Sequence, residues 1–354
     1  MSELMQAVVA HGIGDYRFEQ VPRPTAGPGE LVVKVEACGI CAGDLKAFQG
    51  GERFWGGSEF DAYVEPPCIP GHEFVGRIVE IGEGYEGPFH LGDRVTSEQV
   101  VPCGECYYCK RGMYWMCDPH NVYGFKNYLN GGMAEYIRFP KEARVFAVPE
   151  SFSLEQALLI EPFACAMHGV DRGQIEEGDT VVVSGVGTLG LGMVAYARQF
   201  KPKHLIALDF NDARLELARR QGADLTFNPG RDDVQAEIAR LTQGVGCDVY
   251  IEVAGHPSSV LQGLQLIRKK GRFVEFSVFG KKTESDWSLI GDAKELDMYG
   301  SSLSPDCFPK VIALMEKGEL PTEGVVTHIL PLADFQEAFR IAGSDGIKVA
   351  LRAE

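Results

Sequence analysis

The chain is short of positive charge. Against 34 lysines and arginines stand 50 aspartates and glutamates, for a net charge of −16. The acids are spread along the sequence rather than gathered in a tail. Such a field repels phosphate backbones, so nucleic acid is not an expected partner. Long apolar runs are also missing. The longest uncharged stretch, Thr180 to Ala197, carries Gly185, Gly187, Gly190 and Gly192. A glycine-bearing loop explains it better than a membrane span. Met1-Ser-Glu-Leu-Met places an acid where a secretory leader would carry basic residues. There is no internal repeat and no low-complexity tract. The expectation is a soluble, cytoplasmic protein with no membrane partner, whose 354 residues suffice for two domains with separate cores.

Cysteine, by contrast, is present and unevenly placed. Cys38, Cys41, Cys68, Cys165, Cys247 and Cys307 are scattered and not obviously paired, which points to a reducing compartment. The other four, Cys103, Cys106, Cys109 and Cys117, fall in one short run. Four thiolates this close can close a tetrahedron around Zn²⁺, and a site filled by four sulfurs leaves no position for substrate. The alternative is two disulfides or four unrelated buried thiols. The run signals a metal far more strongly than it signals chemistry.

The first half of the chain reads as short strands between glycine turns. Leu31–Ala37, Gly76–Gly82 and Arg94-Val95 are the clearest. From Leu154 to Val170 the apolar spacing is helical. Strands and helices then alternate: Thr180–Ser184, a helix from Leu189 to about Phe200, His204–Asp209, a helix over Arg214–Arg220, Asp248–Val253 and Gly271–Phe276. Alternation of this kind predicts an α/β fold with a doubly wound parallel sheet covered by helices on both faces. A helix over Phe308–Glu316 leads to a final strand at Lys348–Arg352. The predicted division is a β-rich domain over 1–157 and 298–354, with a cysteine lobe at about 100–120, and a dinucleotide domain over 158–297.

Gly185-x-Gly187-x-x-Gly190 follows an apolar strand and opens a helix, the context that makes a G-x-G-x-x-G credible. The first glycine permits the tight turn, the second lets the backbone approach a pyrophosphate, and the third lets helix and strand pack closely. The helix start at Thr188 and Leu189 then offers free N–H groups to the anion. Asp209 ends the next strand. A carboxylate there accepts from ribose hydroxyls and repels a 2′-phosphate, favouring NAD over NADP. A helix N-cap is its bland alternative. Arg214 is placed to flank an adenine or to be a solvated helix charge.

A second metal site is written in three segments: Cys38-Gly-Ile-Cys41-Ala-Gly-Asp44, Pro70-Gly-His72-Glu73 and Leu159-Ile-Glu161-Pro162. One thiolate, one imidazole and one carboxylate would bind zinc while leaving a coordination position open, as in a catalytic site. Taken singly, His72 could be a satisfied core histidine and Cys41 a small buried hydrophobe.

With these motifs in this order, and with Gly92-Asp93-Arg94-Val95 between them, the chain resembles the zinc-containing medium-chain alcohol dehydrogenases over nearly its whole length. The resemblance implies a GroES-like catalytic domain beside a Rossmann NAD-binding domain, and two zinc ions per subunit. It implies that Cys41 and His72 are catalytic-zinc ligands and that Cys103, Cys106, Cys109 and Cys117 hold a structural zinc. The sorbitol and xylitol dehydrogenase branch looks most similar. That branch implies a ligand role for Glu73 and a carboxylate near the metal at Glu161, and leaves open which of the two touches zinc. The implied reaction is oxidation of a secondary alcohol to a ketone with hydride transfer to NAD, in a homotetramer or homodimer.

The chain departs from that pattern in four places. Gly43 stands where the family has a serine or threonine hydroxyl that relays the alcohol proton, and Lys46 replaces a histidine of the same relay. Leu303-Ser304 occupies the place of an arginine that polyol-specific relatives carry. The segment 48–63 is long and aromatic, and could roof the substrate or pack on a neighbouring subunit. Gly43 could be kept for a backbone turn; the lost hydroxyl still needs a substitute, and water with Glu161 is the expected one. The loop and Gly43 are similar to relatives that oxidise erythritol and threitol. Rival expectations are a threonine-type dehydrogenase, a non-catalytic crystallin-like member, and a zinc-ribbon nucleic-acid module, the last disfavoured by charge.

Overall fold

The computed structural model describes residues 3–353 and divides into two compact units, which are treated separately. The first runs through Glu161 and takes up the chain again from Val326; the second is Pro162–Val325. Met1 and Ser2, part of the leader argument, lie outside the described residues. Among the described residues no helix is long and apolar enough to cross a membrane.

The first unit is a β structure. Leu4–Gly12 and Asp15–Pro22 form a hairpin. A larger sheet runs in the order Val326–Pro331, Lys348–Arg352, Leu31–Ile40, Glu73–Ile81, Arg94–Ser97 and Val145–Ala147, with Tyr136–Phe139 also paired to Leu31–Ile40. Its central strand Leu31–Ile40 is buried at eight of ten positions, so it reads as a nearly continuous apolar run rather than an alternation. That strand pairs antiparallel with Glu73–Ile81, putting Gly39 opposite Glu73 and Cys38 opposite Phe74. The C-terminal strand lies on its other side, with Val349 opposite Ile40. The short helix Ala42–Phe48 leaves directly from its end. Phe48 closes that helix into an edge-to-face cluster with Tyr16 and Phe339, at ring separations of 5.0 and 5.4 Å.

The second unit is a six-stranded, wholly parallel sheet. Its order is Leu225–Phe227, His204–Leu208, Thr180–Ser184, Cys247–Glu252, Ile267–Glu275 and Asp297–Gly300. Numbered along the chain this is 3-2-1-4-5-6, so the strand order reverses between Thr180–Ser184 and Cys247–Glu252, the point where such sheets bind ligands at their carboxyl ends. All five residues of Thr180–Ser184 are buried. Val182, Ile206, Leu208, Tyr250, Leu264 and Phe273 form its core on one face.

Two sequence expectations change. The helix over 154–170 is two helices, Leu154–Leu158 and Ile160–Arg172. Pro162 has no N–H for the carbonyl one turn back and is tolerated only in a first turn. Ser153 caps the first helix, accepting from the Gln156 N–H at 3.2 Å. The return to the first unit comes at Val326, later than the expected residue 298. Asp297–Gly300 pairs in the parallel sheet, and the segment after it is tied there by Gln199 Nε2 to the Glu319 carbonyl at 3.3 Å and Gln221 Nε2 to the Glu323 carbonyl at 3.4 Å.

Burial draws the His168 imidazole, on the helix Ile160–Arg172, down from 6.5 to about 4, and Arg172 one turn on pushes the same way. Between those values the unfolded chain binds a proton that the folded chain does not, so stability falls as pH drops from 6.5 toward 4. Thermal melts across this window should show a shallower pH dependence in His168→Gln than in the wild type. Superimposable slopes would contradict the assignment.

Candidate metal centres and dinucleotide site

Cys41, His72 and Glu73 come together because two neighbouring strands run in opposite directions. Cys41 follows the end of Leu31–Ile40, and Glu73 begins its antiparallel partner. Their donor atoms all lie within 4.8 Å of one another. His72 and Glu73 are buried. Asp44, in the first turn of Ala42–Phe48, accepts from the Cys41 N–H at 2.9 Å through Oδ2. Its other oxygen lies 3.8 Å from His72 Nδ1. Neither Asp44 Oδ1 nor His72 Nδ1 has a hydrogen-bond partner, although both atoms are buried. A metal on the opposite imidazole nitrogen would fix the tautomer that Asp44 faces.

The electrostatics agree with a cation site. Burial alone would lower the pKa of His72, yet Asp44 and Cys41 outweigh it and hold the imidazole well above its ordinary value. Burial likewise opposes the charge on Lys348, and Glu73, Cys41 and Glu161 overcome it. Lys348 Nζ donates to the Ile40 carbonyl at 3.0 Å and pairs with the Glu73 carboxylate. These donors and orphaned atoms fit zinc.

Glu161 stands in the first turn of Ile160–Arg172 and is buried. Its Oε1 accepts from Gln99 Nε2 at 2.7 Å. It is not one of the mutually close donors. Gly43 has no positive φ, and a Cβ there would meet only Cys41 Sγ at 3.8 Å and Phe54 Cζ at 3.9 Å, ordinary contacts. The backbone therefore does not require glycine, contrary to the turn explanation. The 48–63 segment packs inward through Phe48, Phe54 and Tyr63, while Phe60 is exposed. Phe54 stacks on Phe125 at 5.5 Å, and Phe125 lies 5.7 Å from the His72 ring. Tyr63 donates to the His120 carbonyl at 2.7 Å.

The second metal cluster is closed. The four sulfurs of Cys103, Cys106, Cys109 and Cys117 also lie within 4.8 Å of one another, and all ten cysteines are free thiols rather than disulfides. Backbone N–H groups of Cys106, Cys109 and Cys103 point at the sulfurs of Cys103, Cys106 and Cys117 at 3.3 to 3.5 Å. The Cys109 N–H draws Cys106 down to about 6, while burial pushes Cys117 up to about 12. Thiols so matched to N–H donors and so crowded suit a divalent cation.

In the parallel-sheet unit, Gly185 has φ +95°, and a Cβ there would meet the Ala254 backbone at 2.7 Å. Gly187 opens onto empty space and caps the helix Thr188–Ala197. A Cβ on Gly190 would strike the Gly185 carbonyl. The three glycines thus differ in role: strained turn, open approach, close packing. Asp209 Oδ2 accepts from the Val186 N–H at 2.9 Å and Oδ1 from the Asn211 N–H at 2.8 Å. The N-cap of the helix Asp212–Arg220 is Asn211, so the N-cap alternative for Asp209 fails. Arg214 sits in that helix's first turn, its N–H on Asn211 Oδ1 at 3.3 Å.

The alcohol dehydrogenase GroES-like domain family matches residues 27–150 and the zinc-binding dehydrogenase family residues 188–317. An erythritol/L-threitol dehydrogenase of Mycolicibacterium smegmatis is 48% identical, with 99% of this chain and 98% of the relative covered. The chain belongs to the zinc-binding alcohol dehydrogenases. An L-threonine 3-dehydrogenase of Pyrococcus horikoshii is 35% identical, with 98% of each covered. A solved alcohol dehydrogenase from E. coli CFT073, in complex with NADH, superimposes with a TM-score of 0.88 at 30% identity, covering 99% of this chain and 100% of that one.

Sequence reasoning missed three residues at the dehydrogenase's open cluster. Asp44 was visible in the cysteine motif without a role. Gln99 carried no signal. Lys348 lies 275 residues from Glu73, and only strand pairing brings it in.

The closed cluster gives a test of metal removal. Cys106→Ser should lower the melting temperature and release one zinc per chain, while NADH binding survives. The checks are calorimetry, metal analysis and fluorescence titration. An unchanged melting temperature after loss of that zinc would remove its structural role.

Proposed function

We propose that this enzyme oxidises a secondary alcohol of a short polyol, of the erythritol or threitol kind, to the ketose with NAD as hydride acceptor. The observation that carries it is the three-donor cluster of Cys41, His72 and Glu73, incomplete as a tetrahedron, beside a four-sulfur cluster that is complete. The 48% identity to an erythritol/L-threitol dehydrogenase supports the substrate class. Zinc held by Cys41, His72 and Glu73 would polarise the alcohol oxygen, and NAD would accept the hydride.

The chain's own residues do the rest. Asp44 orients His72, and Lys348 offsets the buried charge of Glu73. Phe54 and Phe125 cover the imidazole side of the cluster and exclude water there. With no hydroxyl at Gly43, the Glu161 carboxylate takes the alcohol proton. Gly185, Gly187 and Gly190, with Thr188 and Leu189 at the helix start, receive the pyrophosphate. Asp209 faces the adenosine ribose and repels a 2′-phosphate, and Arg214 lies toward the adenine. The enzyme works in the cytoplasm, where cysteines outside disulfides persist, as a homotetramer or homodimer.

A second possibility, an L-threonine 3-dehydrogenase, is favoured by the 35% identity over 98% of the chain. A panel of four- to six-carbon polyols, simple secondary alcohols and threonine, with NAD and NADP, separates the two. The highest kcat/KM should fall to a four-carbon polyol with NAD, and Cys41→Ser should reduce it to background. Turnover of threonine alone, or retained activity in Cys41→Ser, would defeat the proposal.

Asp209→Ala removes both the ribose acceptor and the tie to the Val186 N–H. NADH should bind about tenfold to a hundredfold more weakly, and discrimination against NADPH should shrink. Fluorescence titration with each nucleotide reads both. Unaltered NADH affinity would refute the ribose role.

A further inference from the structure

Phe54 reaches the open cluster from the long aromatic segment. It lies on the one-turn helix Glu52–Trp55. Its ring stacks on Phe125, which in turn lies 5.7 Å from the His72 ring. The tip of the same ring marks a second flank of the cluster. A Cβ built at Gly43 would stand 3.8 Å from Cys41 Sγ and 3.9 Å from Phe54 Cζ. Apart from the helix and chain neighbours of Gly43, no other atom of the described residues comes within 4 Å of that point. The space beside Gly43 is therefore open, with a metal-donor sulfur on one side and the edge of a phenyl ring on the other.

That ring is held in place from several directions. The Phe54 carbonyl accepts from the Tyr63 N–H and the Val64 N–H, both at 2.8 Å, which closes the neck of the loop between them. Trp55 Nε1 donates to the Ala47 carbonyl at 2.6 Å, tying the segment to the helix Ala42–Phe48. Just past the neck, Lys126 Nζ donates to Glu65 Oε1 at 2.9 Å, one residue from Phe125. Tyr63 also lies against Phe125, at 5.4 Å. A side chain fixed in this way is a wall rather than a mobile cover. Phe54 is nevertheless only half-buried, so part of the ring is free to touch a ligand.

An alcohol whose oxygen is bound at Cys41, His72 and Glu73 must run its carbon chain away from those donors. The space beside Gly43 opens such a path next to Cys41, and the Phe54 ring stands at its far side. A phenyl ring offers a hydroxyl neither donor nor acceptor of ordinary strength. Each further CHOH unit would meet a steric limit and leave a hydroxyl unmatched. We propose that Phe54 is a specificity-determining residue that limits the length of the alcohol chain and confines the site to short substrates. Resting on the proposed function, this gives the four-carbon preference a cause in the chain's own residues.

The test measures kcat/KM of the intact enzyme over three series of rising chain length. These are four- to six-carbon polyols, simple secondary alcohols, and β-hydroxy amino acids beginning with threonine. In the wild type the value should fall with each added carbon. Against an apolar wall one carbon more or less is worth about tenfold to two-hundredfold. Phe54→Ala should therefore raise the ratio of long to short substrate by about tenfold or more. Phe54→Leu should move the ratio the same way by less, and it carries the comparison if the alanine variant does not fold. A loss of the same size at every length, leaving the ratio unchanged, would reduce Phe54 to a packing residue and overturn the proposal. So would a length profile identical to that of the wild type. Absence of polyol turnover by the wild type would count against the polyol reading instead. The length profile in whichever series is oxidised would still decide the role of Phe54.

Discussion

The Lys348 ammonium, buried against the Glu73 carboxylate and the Ile40 carbonyl, ties the end of the chain to the open metal cluster. Removing one partner of such a pair strands a charge in the interior, at a cost of about 3–5 kcal/mol. The pair explains why the sheet of the first unit is finished by a strand from the C-terminus. That strand brings a positive charge to accompany buried Glu73. It also constrains the cluster, since a Cβ on Gly39 would collide with the same carboxylate. The strand register, the glycine and the lysine serve one requirement, which is to hold an acid beside Cys41 and His72.

The two metal clusters differ in what they leave vacant. Four close sulfurs supply the full donor set of a four-coordinate zinc, whereas a sulfur, an imidazole and a carboxylate supply three and would leave one position open. Around the open cluster Lys348 pairs with Glu73 and Gln99 donates to Glu161, while Asp44 lies 3.8 Å from His72 Nδ1 without a hydrogen bond to it. At Gly43 the space beside the Cα admits a Cβ with only ordinary contacts, so packing does not account for the missing hydroxyl.

In the parallel-sheet unit the glycines and Asp209 form one device. The strained turn at Gly185 and the close contact at Gly190 set the backbone, and Asp209 holds the intervening Val186 N–H. The acid read from sequence as a ribose acceptor is therefore also a brace for the loop. The second use of Asp209 depends on neighbouring strands lying side by side, with Val183 opposite Ala207 and Ser184 opposite Leu208.

Local pattern carried a great deal. The alternation after residue 180, the glycine spacing and the four-cysteine run are local patterns that spacing makes legible, while the separate Cys41 and His72-Glu73 motifs took their ligand roles from the family resemblance. Helix ends were less visible, because Pro162 breaks a continuous apolar period that otherwise reads as one helix. Long-range partners were not visible at all. Lys348, the Gln99 tether and the packing of Phe54 and Phe125 toward His72 join residues far apart in the chain. Sequence by itself determined which donor types this protein brings to a metal and a nucleotide. Tertiary structure decided which of them meet, because strand register and buried charge pairing are properties of segments brought together only by folding.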